Sequence, residues 1–329
     1  MRKYFLILLL LPFTLSAQIG GRAGFQALNL TSNPRTAALS GSAVSLADGD
    51  LSQFFENPAI LDSVAEKDLF LHINPYFADV SILSAAYRFD IKRVQGFAVG
   101  VNYINYGDFQ LTDESGQNLG SFGARDYVLA LGKAHQLGPV TLGVNLKFIN
   151  NAIDSYSSSA FAADLGGIFR VNKNWTFGMV ISNMGFVVSG NSPTRAHIPL
   201  DVSIGTSFKP EYMPLRFTVT SVNLTERNFS ISDDEAGRTN SGLDKALRRV
   251  HLGAELLLSN HFQLLFGYHH KRKQELRLES LGGGAGFSYG LMLKIKQIQL
   301  RFSRATFHAA GGTSFISLQT NLNEFKKIL

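Results

Sequence analysis

The sequence has 329 residues, of which 45% are hydrophobic and only 17% are charged, below the roughly 25% charge of ordinary soluble domains. Cysteine is absent, which excludes disulfides and thiolate metal sites. The formal net charge of +6 is spread along the chain without an aromatic-interleaved basic stripe, so we expect no nucleic-acid partner.

Residues 1–17 have the pattern of a secretion signal. Arg2 and Lys3 precede a short apolar run, and Leu15-Ser16-Ala17 has the small residues of a cleavage site. We expect these residues to be removed. After them, no stretch approaches the roughly 18 apolar residues of a membrane helix.

Residues 18–66 are rich in small and polar side chains and lack regular alternation. Residues 34–61 read PRTAALSGSAVSLADGDLSQFFENPAIL. This stretch is too polar to span a membrane and has too few large apolar residues to build a core of its own. We therefore predict that it packs against another part of the chain.

From about residue 69 onward, apolar residues recur at every second position. In residues 140–148, for example, Val, Leu and Phe alternate with Thr141, Gly143, Asn145 and Lys147. Most such segments have about ten residues, the length with which a tilted strand crosses a bilayer. We predict fourteen strands, at 69–74, 79–90, 96–106, 122–135, 140–150, 160–170, 174–183, 199–209, 214–223, 249–258, 262–272, 284–294, 296–306 and 313–322.

Short connections alternate with longer polar ones, which is the topology of outer-membrane barrels. The longer ones are expected at 107–121, 150–159, 184–198, 224–249, 272–284 and 306–312. We predict an all-β fold, a 14-stranded antiparallel transmembrane β-barrel over residues 67–329, with long loops extracellular and both termini periplasmic. A secreted sandwich would also alternate, but its outer face would carry Lys, Glu and Arg. Here the second face carries mainly Gly, Ser, Ala, Asn and Thr.

Many small residues on the second face predict a lumen that the strands do not fill themselves. The glycines concerned are Gly100, Gly143, Gly166, Gly178, Gly205, Gly253, Gly267, Gly286 and Gly290. A fourteen-stranded barrel has room inside. We expect residues 18–66 to act as an N-terminal hatch, or plug, within the lumen.

Residues 34–61 resemble the hatch of the FadL long-chain fatty acid transporter family, whose Asn-Pro-Ala motif is matched by Asn57, Pro58 and Ala59. Two further blocks, RRVHLGAELLLS at 248–259 and GYHHKRKQEL at 267–276, are more similar to the PorQ family of the Bacteroidota type IX secretion system, and next to the related PorV family. One departure is Ser40, which stands where the family usually has glycine.

The resemblance to PorQ implies a non-enzymatic outer-membrane anchor without cofactors. Such a barrel would hold a PorZ-like surface protein near the sortase PorU and the shuttle PorV, among outer-membrane lipid and lipopolysaccharide. The alternatives are a FadL-like transporter of hydrophobic small molecules and a PorV-like cargo shuttle.

Two charged groups are candidates for partner contacts under this hypothesis. The first is Asp233, Asp234, Glu235 and Arg238 in the longest loop, and the second is Lys271, Arg272 and Lys273 at a predicted strand end. An ordinary acidic loop and a solvated strand end at the headgroup level are the simpler interpretations.

His251 and Glu255 share the predicted inner face. Four strand residues separate them by about 13 Å, too far for one metal ion, so we interpret them as polar lumen lining. No nucleophile motif or catalytic set is recognisable in the sequence, and we expect neither enzyme activity nor a metal site.

Overall fold

The computed structural model describes residues 25–92, 94–190, 197–225, 242–275, 284–308 and 311–325. Within them, fourteen antiparallel strands form a closed barrel, in which every strand pairs with its sequence neighbours and β1 pairs with β14. This confirms the predicted fold. The strands are β1 Asp68–Pro75, β2 Ser81–Ile91, β3 Val94–Thr112, β4 Asn118–Leu137, β5 Val140–Ile153, β6 Tyr156–Asn172, β7 Trp175–Gly190, β8 Asp201–Phe208, β9 Leu215–Ser221, β10 Val250–Leu256, β11 Phe262–His269, β12 Phe287–Ile295, β13 Ile298–His308 and β14 Gly311–Asn321.

The period-two pattern separates the two faces of the barrel wall. On β5, Leu142 and Leu146 point outward and are 52% and 58% exposed, whereas Thr141 and Asn145 point inward and are buried. The closed ring pairs each strand on both sides, which leaves no open edge within the apolar band. No helix among the described residues is long and apolar enough to cross a membrane.

The barrel wall has unequal height. Strands β3 to β7, which we call the tall wall, have 14 to 20 residues, whereas β8 to β11 have seven or eight. Much of the predicted loops 107–121, 150–159 and 184–198 is therefore strand. Gly, Asn, Asp and Ser, which are common in turns, interrupt the alternation in these extensions, so the sequence predicts loops there.

The two ends of the barrel differ, but less regularly than predicted, because a two-residue turn also joins β5 to β6 at the end where long loops were expected. Two-residue turns join β4 to β5, β6 to β7 and β12 to β13 at what we call the turn end. The longest connections, from β9 to β10 and from β11 to β12, lie at the opposite end, which we call the loop end. Which end faces the cell exterior stays a prediction.

In the described ranges, four short helices accompany the strands: α1 Pro34–Ala38, α2 Gly242–Leu247, α3 His270–Glu275 and α4 Leu322–Phe325. The strand predicted at 262–272 is wrong at its end, because β11 stops at His269 and α3 follows. Between residue 25 and β1 there are three 3₁₀ turns, Gln26–Asn29, Leu51–Phe55 and Pro58–Asp62.

Residues 25–66, which we call the lumenal segment, contact the inner face of strands around the barrel. The turn Pro58–Asp62 packs on β3 to β6, and α1 packs on β11 to β14. Leu51, Phe54 and Leu61 of the segment form one apolar cluster with inward residues such as Phe70 and Ile168. The predicted hatch boundaries stay a prediction, because residues 18–24 lie outside the described part of the chain.

Candidate functional site

The Asn57-Pro58-Ala59 motif fixes one end of the lumenal segment. Asn57 Oδ1 accepts a hydrogen bond from the Ala59 amide at 3.0 Å, which caps the turn that Pro58 begins. Asn57 Nδ2 donates to the Val44 carbonyl at 2.7 Å and to the Gly167 carbonyl at 3.3 Å. The motif therefore joins two parts of the segment to strand β6.

Inward glycines let the segment's backbone approach the wall closely. A Cβ atom at Gly143 would overlap the Ala59 amide, and one at Gly166 would overlap Asn57 Oδ1. On the opposite side, Gly267 accommodates the Ala38 carbonyl in the same way. The predicted role of these glycines is confirmed at these positions. Gly286 is different, because it lies in the turn before β12 with a φ of 84°.

An ion network links the segment to three strands. Arg35, 2% exposed at its side chain, contacts Asp48 at 2.7 Å and Asp50 at 3.1 Å in the segment, and Glu255 of β10 at 2.9 Å. Arg301 of β13 contacts Asp50 at 3.0 Å. Arg216 of β9 contacts Glu255 at 3.1 Å and also Asp48. Three cations and three carboxylates therefore balance where the segment meets the inner face of the wall.

The network also governs protonation within the segment. Burial alone would raise the pKa of Asp50, but Arg301 and Arg35 hold that pKa below its usual value. Burial likewise opposes ionisation of Asp48, yet Arg35 and Arg216 keep its pKa well below the usual range. Both carboxylates are charged at neutral pH, as their contacts require.

The turn after α1 docks on a pair of histidines. Ser40 has a φ of 70°, a left-handed conformation that favours glycine, which is a physical reason for glycine at this place in the hatch. Its carbonyl accepts a hydrogen bond from His251 Nδ1 at 2.7 Å, and the His251 ring stacks on His269 with centroids 4.0 Å apart. His251 therefore holds the segment in place.

A cavity of about 490 Å³ lies on the loop-end side of the segment, and we call it the vestibule. Ser42, Val44 and Glu56 of the segment belong to its lining, and Arg272 lines it from α3. Burial raises the pKa of Glu56 to about 7. Polar groups dominate the lining, so the vestibule is not a pocket for a purely apolar molecule.

The wall beside the vestibule is irregular at one place. Between β6 and β7 the register shifts after Ala163, and Asn183 takes a φ of 61°. The backbone N–H of Asn183 donates a hydrogen bond to Asp164 Oδ1 at 2.8 Å, and Lys147 Nζ lies 2.6 Å from Asp164 Oδ2. This bulge backs onto an outward groove of about 670 Å³ lined by apolar side chains, among them Leu146, Phe148, Phe161, Met184 and Phe186.

One of the two charged groups predicted for partner contacts lies within the described residues. Lys271, Arg272 and Lys273 lie on α3 at the loop end, with Arg272 turned toward Gly41 of the segment and Lys273 exposed. Asp233, Asp234, Glu235 and Arg238 lie outside the described residues. No three His, Asp or Glu side chains in the described ranges converge as metal ligands do.

The sequence interpretation missed most of the ion network. Arg35 and Glu255 are 220 positions apart, and nothing in the sequence pairs them. A signal was present nonetheless, because Glu255, Arg216 and Arg301 are charged residues at inward positions of otherwise small or neutral strand faces.

Solved structures with a similar fold are FadL-family barrels. A Pseudomonas aeruginosa FadL homologue aligns with a TM-score of 0.52 over 88% of this chain and 98% of that chain, at 9% identity. The Pseudomonas putida toluene transporter TodX aligns with a TM-score of 0.50 over 88% and 96%, at 12% identity. No family model and no curated protein sequence matches the chain. The likeness shows the fold alone, a closed β-barrel similar to those of these two proteins.

Proposed function

We propose that this barrel admits hydrophobic small molecules across the outer membrane, with the lumenal segment as its gate. The bulge between β6 and β7 carries the proposal, since it places an irregular stretch of wall between the vestibule and an apolar outward groove. The architecture shared with a toluene transporter supports the same function by analogy.

Such a molecule would gain most of its binding energy outside the vestibule. The groove carries Phe161 and Phe186, 48% and 66% exposed, whereas the vestibule offers mainly polar atoms. Passage therefore requires the polar contacts of Asp164, Lys147 and Asn183 to rearrange. We expect transport to be slow when these contacts are intact.

A reversible tether tests whether the segment is the gate. A Cβ atom built on Gly253 lies 3.0 Å from Leu39 Cβ, about 0.5 Å closer than the shortest usual Cβ separation of a disulfide, so a small shift of the segment brings two cysteines there within bonding distance. The natural chain has no cysteine that could compete. In a Leu39→Cys/Gly253→Cys variant, oxidation should stop uptake of labelled toluene by cells, and reduction should restore it. The Leu39→Cys single variant is the control. Equal uptake in both redox states would exclude the segment as the gate.

The second candidate function is that of an outer-membrane anchor. We propose it because the segment closes the lumen. A balanced network of six charged groups and a polar vestibule suit a barrel that stays shut and presents its loops. The resemblance of residues 34–61, 248–259 and 267–276 to the PorQ family supports the same role, with a PorZ-like protein held near PorU and PorV.

Deleting residues 225–246 tests the anchor. The partner should leave the cell surface while the barrel keeps its heat-modifiable migration on a gel. Replacing the same residues by a Gly-Ser linker of equal length controls for the spacing between β9 and β10. Retention of the partner at the wild-type level would contradict the anchor role of this loop.

A further inference from the structure

The tall wall ends in a projecting two-stranded ribbon, residues 108–123. Its two strands pair with each other from Asp108 and Gly123 to Thr112 and Asn118. Pairing of β3 with β2 ends at Asn105, and pairing of β4 with β5 ends at Ala124. Among the described residues, no strand covers either edge of the ribbon, and both its faces are exposed from 108 to 112.

Side-chain hydrogen bonds brace the ribbon at both ends. At its base, Asn105 Oδ1 accepts from the Gly107 amide at 3.1 Å within a bulge, and Tyr106 donates to Asp126 at 2.8 Å. At its tip, Asp113 Oδ1 accepts from the amides of Ser115 and Gln117 at 2.9 and 2.8 Å. An isolated two-stranded ribbon is marginally stable in water, so such bracing indicates a fixed presentation.

Apolar side chains are exposed along this ribbon. The rings of Phe109 and Phe122 stack with centroids 5.4 Å apart, and Leu111 lies two positions from Phe109 on the same face. Phe109 is 44%, Leu111 46% and Leu119 61% exposed. The ribbon extends the wall at the loop end, beyond the ten or so residues with which a strand crosses a bilayer. Lipid tails therefore do not cover these side chains.

The charge of the ribbon defines what can cover it. Residues 107–124 contain three acids, Asp108, Asp113 and Glu114, and no Lys or Arg. A lipid surface rich in phosphate would be repelled, as would the same ribbon of a second copy placed across a two-fold axis. A protein surface with basic groups around an apolar patch is complementary in both respects.

We propose that the ribbon is a docking arm for a protein partner that presents an apolar patch with a basic rim. The contact combines the Phe109, Leu111 and Phe122 face with the acidic tip. It depends on neither function proposed above, since it uses neither the gate nor the loop between β9 and β10.

Amide hydrogen exchange tests whether anything covers the ribbon. Peptides spanning 108–123 should exchange at least tenfold more slowly in native outer membranes than in the purified barrel. A wash with 1 M NaCl should remove that protection, because the contact is partly electrostatic. Equal exchange in membranes and in the purified barrel would overturn the proposal.

A photo-cross-linker at Leu119 identifies the class of occupant. We expect one protein adduct, lost in Asp113→Lys/Glu114→Lys but kept in Asp154→Lys, which changes the neighbouring tip between β5 and β6. Adducts of two barrel chains, adducts with lipopolysaccharide, or an adduct that ignores the charge reversal would each overturn the proposal.

Discussion

Replacing Arg35 by Met should release the lumenal segment from the wall. Arg35 makes five hydrogen bonds to Asp48, Asp50 and Glu255, and its side chain is 2% exposed. Removing it leaves three carboxylates facing only Arg216 and Arg301. Breaking a buried ion pair costs about 3–5 kcal/mol, and because Asp48 is a third exposed we take the lower value. That is roughly a hundredfold increase in the undocked population, since 1.36 kcal/mol corresponds to a factor of about ten.

Thiol labelling measures this population directly. Ser45 is fully buried in the segment, and Ser45→Cys introduces the single thiol of the chain. Its maleimide labelling rate should rise roughly a hundredfold with Arg35→Met, given that labelling follows local opening. Arg304→Met, the same change at an exposed position, is the matched control. Adding Glu255→Gln to Arg35→Met rebalances the charges and should recover part of the loss. A rate that stays within twofold of the parent would refute the role of the network.

Three further outcomes follow from the same contacts and can be measured with the same label. Gly166→Ala should weaken docking by about 1–3 kcal/mol through overlap with Asn57, while Gly167→Ala, whose Cβ would meet only Leu142 at 3.9 Å, should change nothing; equal rates in the two variants would contradict the overlap. Asn57→Ala should cost about 1–3 kcal/mol because the Val44 carbonyl and the Ala59 amide lose a buried partner, and unchanged labelling would be inconsistent with that contact. The pKa of Glu56, raised to about 7 in the folded state, means that this state binds more protons, so docking should weaken as pH rises from about 4.5 to above 7; Glu56→Gln should flatten this dependence, and an unaltered pH profile would assign it to another group.

The strands of this protein are predictable where one face meets apolar surroundings. Alternation between Leu142, Leu146 and their polar neighbours identifies β5 because lipid and lumen impose opposite chemistry on its two faces. Beyond the bilayer this contrast disappears. Residues 108–112 and 118–121 are exposed on both faces, and their few apolar residues stand beside turn residues that also occur in loops.

The candidate site is predictable in its backbone but not in its charges. Asn57-Pro58-Ala59 is a local motif with a local hydrogen bond. Inward glycines indicate that another part of the chain packs closely against the wall, even when that part cannot be identified from the sequence. The Arg35 network is non-local. Which of its charged residues pair depends on the path of the lumenal segment through the barrel. The periodicity of the strands carries no information about that path.

The order of the chain gives the ion network a consequence for biogenesis. Arg35, Asp48 and Asp50 are synthesised before any strand, but their charged partners in the wall, on β9, β10 and β13, are synthesised only in the second half of the barrel. Until then Arg35 can pair only with Asp48 and Asp50 of the segment itself, and the contact of Asn57 with β6 can form before the network is complete. Pairing of β1 with β14 and completion of the ion network between the lumenal segment and the wall therefore both belong to the late part of assembly. A barrel that is released into the membrane only after this seam closes would already have its lumen blocked by the segment. The membrane would then never contain an open pore formed by this protein.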